Sequence, residues 1–451
     1  MLSASWLLSL PLLPQCTCVT RTSTHIGRKL PPAKLVVSGG RRAVTTRAAA
    51  SEFSSERTPS RPSMVNGIFG RKGTPATLVH LAVFSQAGVV VRILLGELFG
   101  GNCAERVRGG NFHWIPCVVA DGTGDNHGGA FFRDLPANAV GCFVMGLLSS
   151  VAVLAARYSA AKEVPEKPIA AFKRGSPLQS HDALQVGLRT GFCGSLTTFA
   201  SWQLQMMVML FGGAPTQLDS QWLGVLSGLV VGTQVALASL TLGEHAGLAL
   251  MGKETPHSGA ITETKSKKLA SDMEGSGSNV AAPNSGRWSE WSAISCTAMV
   301  VLVISTAASL MGTFSLKGGG FWKKLCVAVL FGPLGAILRW RLGAVNGKMK
   351  GGLSWFPAGT FAANMIACAV SFLAHGVSVY SSPLSPVQAV MVFALKTGFA
   401  GSLSTVSTWA VEVRKMMGNV GKDYHGYKYI LTSHLGALLI GVIAYGWAVW
   451  L

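Results

Sequence analysis

The 451-residue chain is short of charge. Asp, Glu, Lys and Arg make up 13% of it, about half the share usual in a soluble domain. Acids are the scarcer sign, with 19 Asp and Glu against 38 Lys and Arg. The nine cysteines include no C-x-x-C pair, so the sequence offers neither a disulfide framework nor a zinc site. No H-E-x-x-H, Walker loop, Ser/His/Asp set or haem Cys pair occurs. These absences leave an enzyme reading little support.

What is present is apolar: 49% hydrophobic residues, 54 glycines and a mean hydropathy of +0.40. Such a composition is that of a membrane protein. The net charge of +19 then reads as topology and lipid-headgroup contact rather than nucleic-acid binding, because the excess lies in the N-terminal region and the loops.

Residues 1–50 contain no acid and seven Lys or Arg, among many Ser, Thr and Ala. That pattern resembles an organellar transit peptide. A basic arm at the membrane surface and a short signal peptide around residues 6–13 are the alternatives. The host membrane is accordingly the plasma membrane or, if the arm is a transit peptide, that of a plastid or another organelle.

A bilayer crossing needs about 20 apolar residues. Nine stretches qualify, at roughly 76–96, 134–156, 183–211, 222–243, 291–313, 323–343, 357–380, 386–413 and 429–450. The expected order is a targeting or disordered arm (1–73), a four-span repeat (74–250), a polar linker (251–290), a linker transmembrane helix (291–313) and a second four-span repeat (321–451).

The two repeats match without a gap over their third spans. Arg189 to Trp202 aligns with Lys396 to Trp409, with eight of fourteen positions identical. Gly88-Val-Val-Val-Arg92 aligns with Gly335-Ala-Ile-Leu-Arg339, and Ala137-Asn138 with Ala363-Asn364. Four spans per repeat would leave both halves in the same orientation, and the single linker span reverses the second. Loops 212–221 and 381–388 carry no Lys or Arg, whereas loops assigned to the inside are rich in them. The expected fold is therefore all-α and membrane-integral, an inverted repeat with its site between the halves.

Gly191–Thr198 and Gly398–Thr405 interrupt the third spans with poor helix formers. Broken backbone at membrane depth must be buried in protein or line water, and its freed groups can hold ions. Thr198 and Thr405 fall in these breaks. Asn138 and Asn364 place neutral amides within second spans, either facing a pathway or bonding a neighbouring helix. Phe199 and Trp202 share a helical face, and Trp409 matches Trp202; their ring edges can face a small anion or simply pack. Arg92 and Arg339 lie in first spans, where they are functional or snorkel to the surface. No acid sits mid-span with a partner, which weighs against a proton-coupled carrier. Glu97 is only at the edge of the first span, which weighs against a dual-topology exporter of cations or metabolites.

G-x-x-x-R in the first span, Asn138–Gly141 in the second and Gly191–Phe199 in the third resemble the fluoride channel/exporter family. The resemblance covers about residues 76–450 apart from the linker and loops. It implies a fused form of a four-span dual-topology dimer, monomeric as a pseudo-dimer, that passes fluoride without fuel or an organic cofactor. It implies pore roles for Asn138, Asn364, Phe199, Trp202, Trp409, Thr198, Thr405 and Thr360, and for Tyr429 through a looser match. It also implies a structural sodium ion on the carbonyls of Gly194, Thr197, Gly401 and Ser404. Two departures, Val406 at an aromatic position and Asp134 where the second repeat has Thr360, imply that one of the two pores is degenerate. A pore-dead scaffold of the same family is the remaining alternative.

Overall fold

Long apolar runs become helices because a membrane offers the backbone no other partner for its N–H and C=O groups. The computed structural model describes residues 75–100, 132–157, 178, 181–211, 218–252, 286–418 and 423–450. All lie in one compact unit, and no strand occurs among them. The N-terminal arm and most of the polar linker lie outside the described residues.

The first repeat comprises α1 (Pro75–Phe99), α2 (Leu135–Arg157), a broken third segment and α6 (Leu218–Gly252). The third segment runs through α3 (Asp182–Val186), a π-helical stretch (Gly187–Cys193), α4 (Gly194–Leu196) and, past an extended Thr197, α5 (Phe199–Phe211). Helix α7 (Gly286–Ser315) links the repeats. The second repeat follows the same order: α8 (Phe321–Leu342), α9 (Ala358–Tyr380), a broken segment and α13 (His425–Trp450). Its third segment is α10 (Pro386–Phe393), a π-helical stretch (Ala394–Ala400), α11 (Gly401–Leu403), an extended Ser404 and α12 (Ser407–Met417). The expected third-span interruptions are therefore real, but each is more than a kink: a seven-residue π stretch precedes it.

Among the described residues, seven helical segments are long and apolar enough to cross a membrane. A further apolar helical stretch is Leu135–Ser150 of α2. The chain is an all-helical, multi-pass membrane protein.

Packing repeats between the halves. Helix α2 lies along α6 as α9 lies along α13, and α1 lies on the first π stretch as α8 lies on the second. The halves also interlock: α5 packs on α9 and α13 of the second repeat, while α12 packs on α2 and α6 of the first. Helices α1 and α8 pack on each other. The linker helix α7 lies outside, along α1 and α8, with a mostly lipid-facing surface of Met299, Val300, Val303, Ile304 and Phe314. It is held by polar contacts from Gln86, whose Nε2 donates to Thr306 at 3.1 Å and whose Oε1 accepts from Ser305 at 2.5 Å.

Candidate functional site at the paired helix breaks

The G-x-x-x-R spacing puts its glycine and arginine on one helix face, a turn apart. The structure uses that face to clamp the breaks. A Cβ on Gly88 would lie 2.6 Å from the Phe192 carbonyl oxygen and 3.0 Å from Leu196 N. A Cβ on Gly335 would strike the matching atoms, the Phe399 carbonyl oxygen and Leu403 N. Each first-span helix thus presses its bare backbone onto its own half's break. One turn on, the arginine reaches the other half. Arg339 donates through Nη1 to the Gly194 and Ser404 carbonyls at 2.6 and 2.8 Å, and through Nη2 to Thr190 O at 2.5 Å. Arg92 donates through Nη2 to Thr397 O, the position matching Thr190. The guanidinium groups lie against Gly194 and Gly401, where a Cβ would overlap them. At 1% and 4% exposure, Arg92 and Arg339 do not snorkel.

The breaks cap one another. Past each break a new helix begins, and its first N–H groups need acceptors. Ser404 Oγ accepts from Phe199 N and Ala200 N, each at 3.2 Å. Thr197 Oγ1 accepts from Val406 N at 3.2 Å and Ser407 N at 3.1 Å. Positions 197 and 404 match in the repeat alignment, so each half supplies the cap for the other. Thr197 Oγ1 further contacts Thr405 Oγ1 at 3.3 Å, and Thr198 Oγ1 contacts Ser404 Oγ at 3.1 Å. We expect Ser404→Ala and Thr197→Ala each to cost about 1 kcal/mol, read as a lower melting temperature in detergent. Their close placement should make the double variant non-additive; additive losses would show that the two caps act independently.

Asn138 and Asn364 are buried, and each amide braces its own break. Thr198 N donates to Asn138 Oδ1 at 2.8 Å while Asn138 Nδ2 donates to Thr198 O at 3.2 Å. Asn364 treats Thr405 identically, at 2.8 and 3.2 Å. Of the two expected roles, helix bonding is therefore occupied; the second N–H of each amide makes no further bond among the described residues.

Phe199, Trp202, Val406, Trp409 and Tyr429 have no exposed surface. Phe199 meets Trp202 edge-on at 5.8 Å and Trp409 at 6.0 Å between centroids. His434 sits in their midst, 5.7 Å from Phe199, 5.0 Å from Trp202 and 5.8 Å from Trp409. Gln203 Nε2 lies 3.1 Å from His434 Nδ1, and Thr233 Oγ1 lies 3.2 Å from His434 Nε2. That hydroxyl in turn donates to Leu229 O. Trp409 Nε1 donates to Ser433 Oγ at 3.1 Å.

One turn outward from Asn364 and Ser433 lies a polar cluster that the sequence reading did not assemble. Thr360 Oγ1 donates to Glu412 Oε1 at 2.6 Å, and the Tyr429 hydroxyl to Oε2 at 3.0 Å. Asn346 Nδ2 donates to Glu412 Oε1 at 3.0 Å and to Thr360 Oγ1 at 2.9 Å. Glu412 falls near the end of the third span of the second repeat, in a stretch with Arg414 and Lys415, where it reads as a helix tail. The usable signal was the stride Val406, Trp409, Glu412, which stays on one face. In the first repeat the arrangement differs. Gln205 matches Glu412, and the acid is Asp134, bonded to the Ser201 hydroxyl. Arg133 there pairs with Glu97 and donates its backbone N–H to Gln205 Oε1 at 3.1 Å.

The expected sodium site does not fit as the residues stand. Of its four carbonyls, Gly194 and Ser404 accept from Arg339. A sodium ion on the same oxygens would face a guanidinium at contact distance, where like charges repel.

A multi-pass helical protein with twinned, mutually capped breaks and buried neutral donors has the architecture of an ion pathway. The chain belongs to the family described as CrcB-like protein, Camphor Resistance (CrcB), whose profile matches residues 79–242 and 326–446. It is 24% identical over 344 residues to "Fluoride export protein 1" of Neurospora crassa, covering 71% of this chain and 60% of that protein. Its match to "Fluoride export protein 1" of Candida albicans is 27% over 331 residues, or 69% of this chain and 72% of that one. The "Fluoride-specific ion channel FluC" of Pseudomonas aeruginosa is 30% identical over 128 residues, 28% of this chain and 96% of the bacterial protein. No solved structure matches the chain significantly.

Proposed function

We propose that the protein is a passive, fluoride-selective membrane channel that lets fluoride leave the compartment it protects. The observation that carries this reading is the lane of uncharged donors along α9 and α13. Thr360 and Asn364 lie on one face of α9, a turn apart; Tyr429 and Ser433 do the same on α13. Phe199 and Trp409 lie beside them. The names of the family relatives support the choice of ion.

Fluoride is small and strongly hydrated, so its desolvation must be offset by closely placed donors that release it again. The second amide N–H of Asn364 and the positive ring edges of the aromatics are donors of that kind, and the hydroxyls of Thr360 and Tyr429, which donate to Glu412, join them when they turn from the carboxylate to a passing anion. An inside-negative potential drives the anion outward at about 2.3 kcal/mol per 100 mV, and no fuel is required. In this reading the chain is an inverted repeat of nine spans acting as a fused pseudo-dimer, with the conducting lane on the second repeat's side. On the first repeat's side Asp134 stands in place of Thr360 and Gln205 in place of Glu412, and that acid bonds the Ser201 hydroxyl where Glu412 gathers three donors, so the two sides are not equivalent.

The test is fluoride efflux from liposomes containing the purified protein, with chloride as control and the voltage set by potassium and valinomycin. Fluoride should leave and chloride stay. Asn364→Ala and Phe199→Ala should each slow efflux by roughly tenfold, the loss of one donor-sized contribution. Undiminished flux in both folded variants would overturn the assigned lane, and absence of wild-type flux would overturn the function.

A further inference from the structure

We infer that the guanidinium of Arg339 is the resident cation of the paired breaks, so that the protein holds its two halves together and conducts without sodium. The inference rests on the channel reading only for its transport readout.

The two breaks bring backbone carbonyls of both halves to one place, and freed carbonyls at a helix break attract a cation. The structure shows which cation is there. Arg339 Nη1 lies between Gly194 O of the first repeat, at 2.6 Å, and Ser404 O of the second, at 2.8 Å. One nitrogen therefore bridges the halves, as a bound metal ion would. Nη2 adds Thr190 O at 2.5 Å, so three carbonyls from two third segments converge on one side chain. These are charge-assisted bonds, stronger than neutral ones.

The seat is shaped for this group. Gly194 has no side chain, and a Cβ there would lie 2.5 Å from Arg339 Cζ and 2.7 Å from Nη1. Gly335, one turn before Arg339, lets α8 approach the break of its own half closely enough for the arginine to cross. The residue is 4% exposed, so the charge is shielded from bulk solvent and these carbonyls hold it. Arg92 is the matching cation of the first repeat, but among the described residues it makes one hydrogen bond, to Thr397 O. Of the two arginines that cross between the repeats, Arg339 therefore makes more of the hydrogen bonds.

A tethered cation and a diffusible one lead to different dependences on medium. The purified full chain is melted in detergent with sodium chloride, potassium chloride or N-methyl-D-glucamine chloride, and its fluoride efflux from liposomes is measured in the same three media. The wild type should melt at one temperature and conduct at one rate in all three. Arg339→Ala should lose at least about tenfold in efflux without sodium and melt lower, and sodium should restore part of both, because Gly194 O and Ser404 O are then free. Arg339→Lys, which keeps the charge but not the fork, should fall between. A wild type that melts higher and conducts faster in sodium than in N-methyl-D-glucamine would overturn the inference. So would an Arg339→Ala variant indistinguishable from wild type without sodium. The wild-type melts need no variant, so they decide the matter even if Arg339→Ala fails to fold. Absence of efflux in every medium would count against the channel reading, while the melts would still judge the arginine.

Discussion

Replacing Glu412 by Ala should slow fluoride efflux by about a hundredfold, whereas replacing Asp134 by Ala should change it by no more than about threefold. Glu412 accepts from the Thr360 hydroxyl, the Tyr429 hydroxyl and the Asn346 amide. Hydrogen bonds to a charged group contribute about 1.5–3 kcal/mol each, and every 1.4 kcal/mol is a factor of ten. Losing the common acceptor leaves the Thr360 and Tyr429 hydroxyls and the Asn346 amide without the group that fixes their orientation, and one such contribution entering the barrier corresponds to about a hundredfold. Glu412→Gln should fall between: hydroxyls can turn to accept from the new amide, but Asn346 Nδ2 cannot. Asp134 bonds one hydroxyl, Ser201, on the other side of the molecule. The efflux assay that defines the function measures all three variants, with gel filtration to establish folding. A large loss in Asp134→Ala beside a small one in Glu412→Ala would move the conducting lane to the first repeat.

Much of this arrangement was legible in the sequence because it is written twice. Gly191–Thr198 and Gly398–Thr405 announce breaks, since glycine and hydroxyl residues compete with helix, and both are broken in the structure. The G-x-x-x-R spacing foretold a common face for Gly88 and Arg92. It did not foretell that the glycine touches its own half while the arginine crosses to the other, because a linear pattern carries no information about which copy a side chain meets. The same limit hid the exchange of caps: Thr197 and Ser404 were read as carbonyl donors to an ion, and their hydroxyls are what cap the opposite helices. Asn138 and Asn364 stand out in the sequence as amides within apolar spans, and of the two roles the sequence leaves open the structure shows bonds to Thr198 and Thr405. Glu412 and Asn346 carry little sequence signal for a different reason. One sits among basic residues at a helix end and the other in a short turn after α8, and only the tertiary fold brings them to Thr360. His434, at the centre of the aromatics, carried no motif at all.

Gly335→Ala should yield no folded protein. The added Cβ would meet the Phe399 carbonyl oxygen and lie 2.8 Å from Leu403 N. Both are backbone atoms of the break, so no side-chain rotation relieves the contact, and α8 must move outward. That movement withdraws Arg339, four residues on, from Gly194, Ser404 and Thr190. Overpacking alone costs roughly 1–3 kcal/mol, and three weakened charge-assisted bonds add to it, enough to unfold a protein whose whole stability is about 5–15 kcal/mol. Gly88→Ala should be damaging but milder, because its nearest backbone contacts, at 2.6 and 3.0 Å, are looser and Arg92 has fewer bonds to lose. Gly343→Ala is the control: φ there is −56°, and its Cβ would meet nothing within 4 Å. Yield and gel-filtration profile in detergent rank the three. A monodisperse Gly335→Ala protein with the wild-type melting temperature would show that α8 has room to spare, and the close approach would then not be what lets Arg339 cross.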